Sequence, residues 1–363
     1  MIDRILWREL DWFLLVLIAA LTLIGIAMIS SCSQGLADNY ALRQAIWMAT
    51  SFLLIFVFLY IDYHFLVEYS IYFYGFLIIV LGGLLLWGEK IAGTRSWLRI
   101  SFFQIQPSEL MKLVLLLLLA RYFADYRREK ITTFDWLLVS GLVALPMLLI
   151  TLQPDLGTAL GLLPLYLGAI FLAGINRKLV VLVIIAGLVI GLLGWNFFLL
   201  DYQKERILTV VFPDRDPLGS GYQIQQSKIA IGSGGFSGKG YRQGSQSKLR
   251  FLPARHTDFI FAVVGEEFGF LGVSLVLGLY AFMMFRIFRC GLKAKDRAGV
   301  YICFMVGAVF AFQFFINVLM TVGLAPVTGI PLPLVSYGGS SLFTHLLAIS
   351  LVENVYMRRF IYV

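Results

Sequence analysis

The densest group of side chains able to move protons or hold charge is FLPARHTDFIFAVVGEE, Phe251 to Glu267. There Arg255, His256 and Asp258 stand directly before a long apolar run. A carboxylate at a boundary between water and lipid is partly desolvated, which raises its pKa and makes it a stronger base once ionised; a neighbouring cation pulls the pKa back down. Asp258 therefore suits a general base, and it suits a helix N-cap equally well. His256 with Asp258 is too little for a catalytic triad, and neither G-x-S-x-G nor H-E-x-x-H occurs to support hydrolase chemistry. Glu266 and Glu267 follow on the same helix, either as boundary residues or with Glu266 turned toward the interior.

Three other stretches carry polar chemistry at the edges of apolar runs, where an ionisable group is costly unless paired or solvated. In QPSELMK, Gln106 to Lys112, the proline suits a helix start and the three-residue spacing lets Glu109 and Lys112 meet on one face. Their pairing is either a helix-stabilising ion pair or a polar cavity wall in which Lys112 meets an anionic substrate. Asp155, in QPDLGT, opens a run after a proline, and N-capping is its simplest role. PLPLVSYGGSS, Pro331 to Ser341, is either a plain connection or irregular backbone lining a cavity. The run GSGGFSGKG, 232 to 240, fails both nucleotide motifs. Ser233 stands where a P-loop needs glycine, Gly240 where it needs Ser or Thr, and Ser237 where a dinucleotide fingerprint needs glycine. It reads as a flexible turn, or as a place where backbone approaches a ligand closely.

The elements that must position these groups follow from composition. Of 363 residues, 60% are hydrophobic and 14% charged, too few charges to cover a water-exposed surface. Soluble enzymes, disordered tails and nucleic-acid binders are excluded, and a net charge of +8 reports membrane orientation rather than a nucleic-acid partner. The three cysteines, Cys32, Cys290 and Cys303, make neither a disulfide framework nor a CxxC metal pattern. Apolar segments near 12–30, 46–61, 71–87, 107–123, 136–152, 155–175, 179–200, 262–285, 300–324 and 340–357 are each close to the length of a spanning helix. The expected fold is all-α: a polytopic integral membrane protein of about ten transmembrane helices. Residues 1–363 form a single membrane domain, with one long extracytoplasmic loop, about 201–257, between helices 7 and 8. The first run reads as a retained helix rather than a signal peptide. Within the long loop, YQIQQSKIAI (Tyr222 to Ile231) is expected to form a short amphipathic helix. Connections on the N-terminal side hold fifteen Lys and Arg, from Arg4 to Arg359, whereas the short loops opposite hold four, so both termini are expected in the cytoplasm.

QPSELMK, QPDLGT, DPLGSGYQIQQSKIAIGSGG, FLPARHTDFIFAVVGEE and PLPLVSYGGSS, in that order, closely resemble the SEDS family (shape, elongation, division, sporulation), over about Trp12 to Met357. LPARHTDF, SQSKLRFLP and the short N-terminus resemble its elongation branch more than its division paralogue. The resemblance implies a peptidoglycan glycosyltransferase of the bacterial cytoplasmic membrane that polymerises lipid II on the outer face. A sugar hydroxyl of one lipid-linked disaccharide attacks the anomeric carbon of another, inverting it and expelling undecaprenyl pyrophosphate. Asp258 matches the family's essential aspartate and is expected to activate the hydroxyl, directly or through a bound divalent cation (Mg or Mn); no nucleotide is implied. Lys112, Arg255, Lys228 and Arg206 are expected to face the developing pyrophosphate charge, with Glu109 orienting Lys112, and His256, Asp155 and Gln106 complete the expected substrate-binding set. Further implied partners are the growing lipid-linked glycan, a class B penicillin-binding protein acting as transpeptidase, the elongation machinery and membrane lipids, with no nucleic acid. One departure is visible at AGTRSWLRI: Ser96 precedes Trp97 where the family has arginine, and Arg95 lies one position earlier. The rival from another class is a flippase for lipid-linked precursors. No inverted repeat supports it, and Asp258, Glu109 and Gln106 are expected at the outer edge rather than the midplane. A non-catalytic scaffold is a third possibility.

Overall fold

The computed structural model describes residues 7–34, 38–90, 94–100, 103–125, 132–174, 191–212, 215–216, 219–249 and 251–360, with isolated positions between 181 and 189. It is a bundle of helices with a single pair of short strands among the described residues. The first half contains α1 (Trp12–Cys32), α2 (Tyr40–Tyr60), the short α3 (Tyr63–Glu68), α4 (Ser70–Trp87), strands β1 (Leu98–Ile100) and β2 (Phe103–Ile105), α5 (Pro107–Ala124), α6 (Thr133–Leu152), α7 (Leu156–Leu160) and α8 (Leu163–Leu172). The second half contains α9 (Asp201–Val211), α10 (Ser220–Ser233), α11 (Ser245–Lys248), α12 (Ile260–Leu292), α13 (Arg297–Thr321) and α14 (Gly339–Met357). β1 and β2 pair antiparallel, with Leu98 opposite Ile105.

The helix starts are written in the sequence. Asp11, Asn39, Asp155 and Asp296 cap α1, α2, α7 and α13 with their carboxylate or amide oxygens, and Thr132 with Asp135 forms a capping box on α6. Pro107 opens α5, where its missing N–H costs nothing. α5 is buried on nearly every face, from Met111 through Phe123, and packs against α4 and α13. α2, by contrast, buries little beyond Gln44, Ser51, Ile55 and Leu59, and leaves Leu53 and Val57 exposed. An apolar exterior around a packed interior is what a bundle surrounded by lipid requires.

Nine of the expected spans are helices here; the tenth, 179–200, is described only in part, helical at isolated positions between 181 and 189 and at 191–193 and ending in a π-helical turn, Gly194–Phe198. The 155–175 segment differs from a continuous span: it breaks at Gly161 and Leu162, because Pro164 cannot donate to the preceding turn. The long connection 201–257 is more structured than a loop. It holds α9, α10, which contains YQIQQSKIAI, and α11. α12 runs longer than expected and is broken inside, at Gly269 (φ 60°, ψ −154°), a conformation that only glycine adopts easily.

That break explains the glycine-rich run. Where α12 is interrupted, Lys239 and Gly240 donate their N–H groups to the carbonyls of Glu266 and Glu267 at 3.0 and 2.9 Å, and Phe270 and Leu271 donate to Gly235 and Phe236 at 2.9 and 3.1 Å. A helix interruption frees backbone groups that must be paired, and the 235–240 loop pairs them. A side chain on Gly234 or Gly238 would drive into the carbonyl of Gly265 or Glu267, and one on Gly269 would meet the Gly238 nitrogen at 2.5 Å. The run is therefore neither free turn nor ligand cradle: its close backbone approach is to α12 itself.

Candidate functional site

Asp258 sits in a tight turn ahead of α12. Ala254, at φ 48°, points its carbonyl at the N–H groups of Thr257, Asp258 and Phe259, at 3.1, 3.0 and 3.3 Å. The N-cap position of α12 is Phe259, and no side-chain cap bond forms there, so the capping role open to Asp258 in the sequence is not the one it takes. The residue is partly buried instead, with its carboxylate Oδ2 3.8 Å from where a Cβ on Gly329 would stand. Burial pushes the carboxyl above the ordinary aspartate range, while the Thr257 hydroxyl and the Arg206 guanidinium pull it back down.

Three segments build the walls. From α9, Arg206 donates through Nη1 to the Val327 carbonyl at 3.1 Å and lies over the Tyr202 ring. From α13, the buried carboxamide of Asn317 donates through Nδ2 to the carbonyls of Asp258 and Ile330, both at 2.9 Å. From PLPLVSYGGSS, the Ser336 hydroxyl donates to the Thr257 carbonyl at 2.5 Å, and the Tyr337 N–H donates to the His256 carbonyl at 2.8 Å. That stretch is thus seated on the Asp258 turn, and Gln44 of α2 holds it from behind through Ser336 O and Gly338 N at 3.2 Å each.

The other sequence candidates fall into two groups. Gln106, Glu109, Lys112 and Asp155 are drawn together: Lys112 Nζ donates to Glu109 Oε1 at 2.7 Å with both residues 4–5% exposed, and Gln106 Nε2 donates to Asp155 Oδ2 at 2.5 Å. Asp155 also caps α7 through the Thr158 N–H at 3.2 Å. Glu109 Oε2 is buried without a partner among the described residues, an acceptor waiting for a donor. This cluster adjoins the first, because a Cβ on Gly157 of α7 would meet the Thr328 carbonyl at 2.6 Å, one residue from Gly329. The 327–330 segment is a shared wall.

The remaining three are placed differently. Arg255 is buried, with Nε donating to the Cys32 carbonyl at the end of α1 at 2.6 Å. His256 stacks on Tyr40 with ring centroids 4.7 Å apart, and burial together with Arg255 lowers its pKa, which favours neutral imidazole. Lys228 is exposed on α10, its Nζ 2.7 Å from where a Cβ on Gly323 would stand. Arg95, the displaced arginine, is exposed and donates to the Leu85 carbonyl at 3.2 Å, while Ser96 is buried beside Thr94.

Sequence reasoning missed Asn317, Ser336 and the role of Glu266. The last is buried and accepts from Lys239 Nζ at 2.9 Å and from the N–H groups of Gln246 and Ser247 at 2.8 and 3.1 Å, which fixes α11 and the glycine loop to α12. Among the described residues no three His, Cys, Asp or Glu gather as a metal site. Asp258 alone would offer a divalent cation one carboxylate, so substrate phosphates and water would have to complete its shell.

In chemical terms, the arrangement offers a partly buried carboxylate with an arginine as its electrostatic neighbour, on a wall shared with a buried polar cluster. Comparison with known proteins gives this arrangement its context. The family model of FtsW/RodA/SpoVE cell cycle proteins matches residues 8–360. The chain is 39% identical to the peptidoglycan glycosyltransferase MrdB of Escherichia coli K12 over 290 residues, 79% of this chain and 78% of that one. It is 36% identical to the stage V sporulation protein E of Bacillus subtilis, over 95% of this chain and 96% of the relative. Among solved structures it is similar to a chain of a peptidoglycan synthase complex that coordinates polymerization and crosslinking (TM-score 0.83, 33% identity, 97% and 98% covered). It is also similar to Thermus thermophilus RodA, a rod shape determining protein (TM-score 0.73, 30% identity, 98% and 99% covered).

Proposed function

We propose that this chain, which belongs to the FtsW/RodA/SpoVE family of cell cycle proteins, is a peptidoglycan glycosyltransferase that polymerises lipid II during cell elongation, with Asp258 as its general base. The observation that carries the assignment of the base is the placement of its carboxylate. It caps no helix, belongs to a residue that is only partly buried, and has Arg206 as its electrostatic neighbour. Desolvation makes the ionised carboxylate more basic; the guanidinium keeps it ionised.

The step is an inverting substitution. The Asp258 carboxylate takes the proton of the acceptor sugar hydroxyl as its oxygen forms the bond to the donor's anomeric carbon. The bond from that carbon to the pyrophosphate oxygen breaks, and undecaprenyl pyrophosphate leaves with the electron pair. Negative charge that develops on the leaving group needs fixed positive partners. Arg206 and Lys228 border the 322–330 segment and serve that role first. Lys112, held by Glu109 in the adjoining cluster, meets a second anionic or hydroxyl group of the lipid-linked substrate. Arg255 contributes through the turn it ties to α1, and His256, Gln106 and Asp155 complete the substrate wall. No step above runs through a divalent cation.

The excess of Lys and Arg on the opposite connections supports a cytoplasmic-membrane orientation with both termini inside and Asp258 outside. Likeness to a synthase complex that couples polymerization to crosslinking supports a class B penicillin-binding protein as partner. The test is incubation of labelled lipid II with the purified chain joined to such a partner, in the presence of moenomycin to silence unrelated synthases. The proposal expects glycan ladders. Absence of polymer from the activated complex, with movement of lipid II across proteoliposomes, would replace it with the flippase reading.

A further inference from the structure

Asn317 stands near the end of α13, in the otherwise apolar FFINVLM, and is fully buried. Its Nδ2 donates to two main-chain carbonyls, of Asp258 and of Ile330, at 2.9 Å each. Carbonyl oxygens only accept, so the carboxamide has one orientation, nitrogen toward both. Its Oδ1 is left buried with no partner among the described residues. An unpaired buried acceptor carries an uncompensated desolvation cost, one that packing alone would avoid with leucine.

The two carbonyls identify what is gained. One belongs to the 254–259 turn that carries Asp258. The other belongs to the 327–330 segment, whose Val327 carbonyl anchors Arg206 and whose Gly329 faces the Asp258 carboxylate. A single carboxamide therefore fixes the base against the segment that holds its cation. The Ser336 hydroxyl grips the neighbouring Thr257 carbonyl, so the turn stays attached without Asn317 but loses its registration on the 327–330 wall.

We propose that Asn317 is a positioning residue for the glycosyl transfer, setting the distance between Asp258 and Arg206 through the backbone of Asp258 and that of the 327–330 segment to which the Arg206 guanidinium is anchored. This rests on Asp258 being the base. A misplacement of the base by about 1 Å can cost up to roughly a hundredfold in rate. Loss of registration with Arg206 also removes part of the pull that keeps the carboxyl ionised.

The experiment compares wild type, Asn317→Ala, Asn317→Ser and Asp258→Asn in the complex with the transpeptidase partner, measuring kcat and KM for lipid II against pH. For Asn317→Ala the expected result is a fall in kcat of about tenfold or more, KM within about threefold, and an acid limb moved to higher pH. Asn317→Ser, which keeps one short donor, should lie between; it also answers the question if the alanine variant fails to accumulate. A smaller folded fraction would lower the apparent kcat without moving the acid limb, so an unmoved limb in both variants overturns the proposal. So does a kcat within about twofold of wild type. If wild type polymerises and Asp258→Asn does not, either outcome counts against Asn317 alone. If wild type makes no polymer, the reading of Asp258 falls and takes this one with it.

Discussion

At the scale of single residues, the account turns on why Asp258 is a base rather than a cap. A cap needs its carboxylate aimed at the first free N–H groups of a helix. Here the Ala254 carbonyl has already gathered the N–H groups of the turn, and the carboxylate is left to face Gly329 and Arg206. The base must be ionised to accept a proton, so activity is lost as pH falls through its pKa. Burial raises that pKa, which places the acid limb above the ordinary aspartate value. Arg206 lowers it, so Arg206→Gln should move the limb upward and cost most activity at the acidic end of a profile taken between about pH 5 and pH 8. An unchanged limb would separate Arg206 from the base. Asp258, Glu109, Lys112, Gln106 and Asp155 stood out in the sequence because charged or amide groups at the ends of apolar runs are costly and few. Asn317 did not. It is one amide inside an apolar run, and its partners are backbone carbonyls 59 and 13 residues away, a relation no local spacing encodes.

At the scale of elements, the break in α12 is the feature that sequence periodicity could not show, since the apolar run resumes after Glu266 and Glu267 and a single glycine inside it does not by itself mark a kink. The glycine run was visible but its purpose was not, because the backbone it approaches lies nearly thirty residues on. The freed groups of α12 are paired by the 235–240 loop, and Glu266 and Lys239 close the joint with an ion pair at 2.9 Å. Gly238, at φ 81° and against the Glu267 carbonyl, tolerates no side chain. Gly238→Ala should destabilise the protein by roughly 2–4 kcal/mol, whereas Gly232→Ala, with open space around it, should change stability little. Thermal unfolding in detergent would show the contrast; equal midpoints for the two variants would mean that the joint bears no load. Helix starts, by comparison, were readable wherever an Asp, Asn, Thr or Pro marks them. The split at Gly161 to Pro164 was overrun only because its flanks are equally apolar.

At the scale of the molecule, the two ends of the bundle are chemically unlike. One carries the Asp258 turn and the structured 201–257 connection. The other is laced with ion pairs, Arg286 to Asp11 and Arg359 to Glu9 among them, and Arg358 to Asp62 at 3.3 Å. This asymmetry was legible from Lys and Arg counts alone. It predicts that a fluorescent reporter on the C-terminus lights in the cytoplasm, and that an exported phosphatase fused there is inactive; the reverse pattern would place Asp258 on the wrong face for lipid II polymerisation. Proton abstraction by one carboxylate, Asp258, is what separates the proposed polymerase from a flippase or a scaffold. The most direct test is polymerisation of labelled lipid II by the partner-bound chain with Asp258→Asn, an isosteric change that removes the base, alongside a separate measurement of lipid II binding. The account predicts a rate lowered by at least ~100-fold with binding retained. Glycan ladders of wild-type length and rate from Asp258→Asn would contradict it.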